Sequence, residues 1–109
     1  MFRIHRKWKI IYNIENDSVY LKSLLNCYLS TDKYGHLKCD STEISNDCRF
    51  QLEYNSHGQW AFKSLTYGMY LGGNVDQLHC FSKMPEWWSP HLAFHPQVIF
   101  IYFNLIESK

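Results

Sequence analysis

No apolar run in this 109-residue chain approaches the roughly 20 residues that a helix needs to cross a bilayer, so no membrane partner is expected. An excess of charge is missing too. Eleven Lys and Arg stand against ten Asp and Glu, a formal net charge of +1, without the broad basic footprint that nucleic acid requires. The opening Met1-Phe-Arg-Ile-His-Arg-Lys-Trp8 has neither an apolar core nor a small-residue cleavage site, so no secretory leader is expected. The four cysteines, Cys27, Cys39, Cys48 and Cys80, form no C-x2-C pair of the kind that binds zinc. With nothing else pointing to secretion, they read as free, reduced thiols of a cytosolic protein.

Catalytic patterns are equally absent. The chain has no G-x-S-x-G, no Walker loop and no paired-carboxylate motif; Glu15, Asp17, Asp40, Glu43, Asp47 and Glu53 read as turn or strand-exterior positions. His79 adjoins Cys80, but neighbours on a strand point to opposite faces and cannot meet as base and nucleophile. His91-x3-His95 would share a face only on a helix, and Pro90 and Pro96 bracket it. No enzyme activity, cofactor, metal or small-molecule substrate is therefore expected.

What the chain does have is a repeat. Lys22-Ser23, Tyr28-Leu29 and Leu37-x-Cys39 return as Lys63-Ser64, Tyr70-Leu71 and Leu78-x-Cys80, with an outer offset of 41 residues. One extra residue before Tyr70 is taken back before Leu78. An aromatic anchor opens each unit: Trp8, Phe50 and Trp88, spaced 42 and 38 apart. Within a unit, Val19-Tyr-Leu-Lys-Ser23 and Trp60-Ala-Phe-Lys-Ser64 alternate apolar and polar residues, the period of a half-buried strand. Leu37-Lys-Cys39 and Leu78-His-Cys80 alternate again, placing Leu and Cys on one face, where Cys80 and Cys39 act as small hydrophobes. Asp32-Lys-Tyr-Gly35 and Gly72-Gly73-Asn74 read as turns.

Four short strands per unit of about 40 residues suit either propeller blades or a trefoil of hairpins. Blades usually show a Trp-Asp pair, and none occurs here. The expected architecture is a single all-β domain of β-trefoil type, with aromatics at 17% supplying the core anchors. Trp8, Phe50, Trp60 and Trp88 are expected inside, and Trp87, next to Trp88, is expected to face outward.

The run CRFQLEY…GQWAFKS…YLGG…DQLHCFSK…WWSPHLAFHPQV, with VYLKSLLNCYLSTDKYGHLKCDS upstream, resembles fascin, an actin-bundling family built from four tandem β-trefoils. The resemblance spans Trp8 to Val98 and its first trefoil. It implies an incomplete fascin-like β-trefoil over residues 8–98, lacking most of the first repeat, with divergent segments at 1–7 and 99–109. An unclosed barrel of this kind would expose strand edges and leave the strand around Trp88–Phe94 without a neighbour, so a marginal, aggregation-prone fold is expected. A truncated gene product would read this way.

The resemblance also implies actin filaments as partner, a cytoplasmic, cytoskeletal location and four filament-contacting residues. His95 and Gln97 match positions that face a cleft between trefoils. Arg6 and Lys7, with Arg3 and Lys9, loosely echo a lysine run before the matching Trp. The Ser that precedes that run in the family is missing here, so its phosphorylation switch does not carry over. One incomplete trefoil would supply part of one filament site, and bundling needs two. The alternatives are a lectin-like sugar-binding module, disfavoured because no unit has Q-x-W, or a product without function.

Overall fold

Alternation becomes strand wherever the sequence shows it. In the computed structural model, which describes residues 9–15, 17–23, 25–73 and 78–88, the first unit contains β1 (Lys9–Asn13), β2 (Ser18–Lys22), β3 (Tyr28–Thr31) and β4 (Leu37–Ser41). A single 3-10 turn, Asn46–Cys48, leads to the second unit: β5 (Phe50–Tyr54), β6 (Trp60–Ser64), β7 (Tyr70–Gly73) and β8 (Leu78–Ser82). All pairings are antiparallel, in the order β4-β3-β2-β5-β6-β7-β8, with β1 also paired to β2. The fold is thus all-β, with its strands wrapped into a barrel-like sheet.

The two units repeat down to individual bonds. Lys22 lies opposite Tyr28, and Lys63 opposite Tyr70. Tyr28 pairs with Ser41 and Tyr70 with Ser82, each followed by the same register irregularity. Ser23 N–H donates to the Cys27 carbonyl and Ser64 N–H to the Met69 carbonyl, both at 2.8 Å. The extra residue before Tyr70 now has a structural place. It lengthens the loop after β6, where Gly68 N–H reaches back to the Ser64 carbonyl at 2.8 Å; in the shorter loop, Asn26 N–H reaches the Ser23 carbonyl at 3.0 Å. Both loops turn through a left-handed residue, Asn26 at φ +67° and Gly68 at φ +74°, a conformation that Asn and Gly adopt at least cost.

The third anchor extends the pattern. Phe50 pairs with Val19 where the second unit begins, and Trp88 bridges to Trp60 at the matching place. Trp60 N–H donates to the Trp88 carbonyl at 2.8 Å and Trp88 N–H to the Trp60 carbonyl at 2.6 Å. This corrects the expectation that the strand beginning at Trp88 has no neighbour: β6 supplies one. The rest of that segment lies outside the described residues, as does Trp8.

The core gathers Ile10, Val19, Leu21, Leu29, Phe50, Phe62, Leu71, Leu78, Cys80 and Trp88, and β4 contributes only the partly buried Leu37 and Cys39 packed against it. Phe50 and Phe62 are completely buried, each worth about 1.5–3 kcal/mol in transfer free energy. The Trp88 indole N–H donates to the Leu71 carbonyl at 3.2 Å, so the ring enters the interior without an orphaned donor. Trp60 was expected fully inside and is instead half-buried, packed against the core rather than within it. Trp87 points outward at 40% exposure, as its neighbour's burial dictates on a strand. Gly72 and Gly73 also depart from expectation. They end β7, and the Glu86 carboxylate lies against Gly72, where an added Cβ would have to push that side chain aside; Asn74, the third residue of the expected turn, lies outside the described residues.

Candidate partner-binding surface

The four residues singled out by the sequence, Arg6, Lys7, His95 and Gln97, lie outside the described residues. The structure does show the frame on which the basic segment ends. Lys9 starts β1 directly opposite Lys22 of β2. Like charges face to face across a ladder are unfavourable. Lys22 moves its ammonium away, 5.3 Å over the Tyr28 ring, and Tyr28 in turn packs edge-on against Tyr20. The second unit builds the same contact, with Lys63 5.7 Å over Tyr70. Tyr70 differs by donating its hydroxyl to the Glu53 carboxylate at 3.0 and 3.1 Å. Burial, then that bond, then the carboxylate's charge raise the Tyr70 phenol above its ordinary value.

Besides the β2–β5 pairing, the units meet at the turn after β3, which rests on β8. Asp32 organises it: its Oδ1 accepts N–H groups from Tyr34 at 2.8 Å and His36 at 3.0 Å, and Asp32 N–H donates to the His36 carbonyl at 3.0 Å. The His36 N–H is the largest single reason that the Asp32 carboxyl sits below its ordinary value. Gly35, at φ +82°, lays its backbone on β8, where its carbonyl accepts the Cys80 N–H at 2.9 Å. A Cβ on Gly35 would fall 2.7 Å from the Phe81 Cβ and 2.9 Å from the Cys80 carbonyl carbon and oxygen. Only glycine permits that approach. Tyr34, His36 and Phe81 surround the contact and remain 65%, 78% (side chain) and 55% exposed.

A second polar knot closes the other hairpin. Glu86 accepts the Ser82 hydroxyl and, at 3.1 Å, the Gly73 N–H. Burial alone would raise its pKa; the hydrogen bonds from Ser82 and Gly73, with a smaller contribution from the nearby His79 imidazole, outweigh that and leave it below the ordinary value. His79 stacks on Phe81 at 3.8 Å and 9°, with its Nδ1 buried and without a hydrogen-bond partner.

Cys39 and Cys80 serve the packing of the two units. All four cysteines are free. Cys39 Sγ donates to the Cys27 carbonyl at 3.0 Å and Cys80 Sγ to the Met69 carbonyl at 3.4 Å, at equivalent places in the two units. Burial pushes the Cys80 thiol up to about 11, despite hydrogen bonds with Thr31 and Ser64 that favour the thiolate. Burial raises Cys39 as well. His79 and Cys80 part to opposite faces, Cys80 into the core and His79 onto Phe81. Among the described residues, no three His, Cys, Asp or Glu side chains converge as a metal site would need.

The class that this geometry defines is a repeat-built all-β domain. Residues 5–87 match the family model for the Fascin domain, a span that takes in both repeat units, Arg6 and Lys7 and stops short of His95 and Gln97. Fascin-2 of Bos taurus is 37% identical over 82 residues, covering 72% of this chain and 17% of the relative. Fascin-2 of Homo sapiens is 37% identical over 87 residues, 76% of this chain and 18% of the relative. Fascin of Strongylocentrotus purpuratus is 38% identical over 64 residues, 56% of this chain and 13% of the relative. The chain belongs to the fascin family. It spans less than a fifth of the length of these relatives.

Sequence reasoning read Tyr34 and Gly35 only as turn residues and passed over Glu86 and Phe81. Only Gly35 carried a signal, as the glycine of an Asp-x-x-Gly turn. The other three matter through partners that the fold brings together from distant positions.

Proposed function

We propose that this chain is a fascin-type actin-filament-binding module of β-trefoil architecture, non-enzymatic and acting in the cytoplasm on the cytoskeleton. The observation that carries the reading is the fascin-domain match over residues 5–87, falling on two structural units that repeat bond for bond. The trefoil reading rests on the same internal repeat, with Trp88 opening a third unit on β6 as Phe50 opens the second on β2. On this reading residues 8–98 form the module and the flanking segments lie beyond it.

His95, Gln97, Arg6 and Lys7 are proposed to contact the filament. An imidazole and an amide offer hydrogen bonds to a polar surface, and the cations complement an acidic one. Bundling is a different requirement, because a crosslink needs two sites held apart on one rigid body. The 109-residue chain is therefore expected to decorate filaments weakly and leave them unbundled. Fluorescently labelled chain imaged on immobilised actin filaments tests this. Decoration that weakens in a His95→Ala/Gln97→Ala variant supports the assignment; undiminished decoration by that variant removes those two residues from the site.

A further inference from the structure

The repeat breaks at one position of chemical consequence. The residue before Tyr28, at the start of β3, is Cys27; the residue before Tyr70, at the start of β7, is Met69. In both units the carbonyl of this residue accepts the thiol of the following strand, Cys39 at 3.0 Å in the first and Cys80 at 3.4 Å in the second. Met69 packs against the core cluster that contains Cys80, so a side chain at this place is directed toward the cysteine of its own unit. The first unit therefore holds two thiols where the second holds a thiol and a thioether.

Short contacts gather the first pair. Cys39 Sγ stands on the Cys27 carbonyl oxygen, and bond lengths alone put it within about 6 Å of Cys27 Cα. Ser23 joins both residues: its Oγ accepts the Cys27 N–H at 3.2 Å, its N–H donates to the Cys27 carbonyl at 2.8 Å, and its hydroxyl bonds with the Cys39 thiol. The Cys27 thiol points at the Leu25 carbonyl, 3.8 Å away, a weak bond to give up. Burial raises the Cys39 thiol most, and the charge of Cys27 adds to it, a coupling that operates only between neighbouring sulfurs. Both residues are partly exposed, whereas Cys48 and Cys80 are buried. A small reagent thus reaches this pair first.

We propose that Cys27 and Cys39 form a reversible disulfide that staples the β2–β3 loop to β4, made and broken by exchange with a low-molecular-weight thiol–disulfide couple such as glutathione. The Cys27 thiolate attacks one sulfur of the small disulfide; that S–S bond breaks, a mixed disulfide forms on Cys27 and one small thiolate leaves. The Cys39 thiolate then attacks the Cys27 sulfur and expels the second. Two protein thiols give two electrons and two protons to one small disulfide, which becomes two thiols. The new bond joins positions 12 apart and takes Cys39 Sγ off the Cys27 carbonyl. Met69 denies the second unit the same bond.

The test equilibrates the folded 109-residue chain with reduced and oxidised glutathione at a series of ratios, blocks free thiols with iodoacetamide after unfolding, and maps the cysteines by mass spectrometry. Digestion after Lys, Arg and Glu separates Cys39 from Cys48, because Glu43 lies between them. The expected result is a Cys27–Cys39 linked peptide that disappears in reduced glutathione, with Cys48 and Cys80 alkylated throughout. The oxidised natural chain should melt about 10 °C or more above the reduced one, and Cys27→Ser and Cys39→Ser should each abolish that difference. Glutathione retained on Cys27 with Cys39 free, a link to Cys48 or Cys80 instead, or both thiols still free in oxidised glutathione would overturn the pair. A linked chain that melts no higher than the reduced one would overturn the staple.

Discussion

Gly35→Ala isolates one contact between the two repeat units, that of the turn after β3 with β8. Two costs add at this position. A left-handed φ of +82° costs a non-glycine residue about 1–2 kcal/mol. The new Cβ would also stand 2.7 Å from the Phe81 Cβ and 2.9 Å from Cys80 backbone atoms, which no side-chain rotation can relieve. The turn must lift, and the 2.9 Å bond from Cys80 N–H to the Gly35 carbonyl is lost, a further cost of about 1 kcal/mol or more. The expected total is about 2–3 kcal/mol. Gly58→Ala supplies the control, since φ is +75° but nothing lies within 4 Å of the added methyl. It should cost only the conformational term, about 1–2 kcal/mol. Urea unfolding followed by circular dichroism compares the two at equal m-value. Equal destabilisation by the two substitutions would refute the claim that Gly35 is selected by a close approach.

Other consequences are open to measurement. Phe50→Ala empties a completely buried site at the start of the second unit and should cost about 3–5 kcal/mol in the same assay. Trp88→Ala should cost a comparable amount, and hydrogen exchange should rise at the Trp60 amide, which loses its anchored partner. Glu86 has a folded pKa below its ordinary value, so it stabilises the fold above that ordinary value and the contribution is lost as pH falls through the lowered one. Glu86→Gln should therefore flatten the acid side of the stability profile, read as the urea midpoint at successive pH values. Cys80, raised to about 11, should resist iodoacetamide near neutral pH in the native state, while the more exposed Cys27 is alkylated first; mass spectrometry of timed samples distinguishes them.

Much of the architecture was legible because it depends on period and spacing. The 41-residue offset predicted paired strands, and Lys22/Tyr28 with Lys63/Tyr70 occupy the same ladder positions. Alternation placed Leu37 and Cys39 on one face and sent Trp87 outward. The errors arose where a pairing partner decides. Trp88 finds β6, which sequence cannot reveal without the topology, and Trp60 lies at the margin of the core rather than within it. Gly72 read as a turn residue because glycine marks turns and also close approaches. Here the Glu86 carboxylate, 14 residues along the chain, packs against the glycine. The site was less legible for the same reason: the Tyr34–Gly35–Phe81 junction joins positions over 40 residues apart.

The central claim is that this chain engages actin filaments as a single module. Co-sedimentation at two speeds addresses it most directly. The account predicts that the chain enters the high-speed pellet with filaments in a saturable way and that filaments stay in the low-speed supernatant. A high-speed pellet free of the chain would contradict filament binding, and filaments brought down at low speed would contradict the claim that one module cannot bundle.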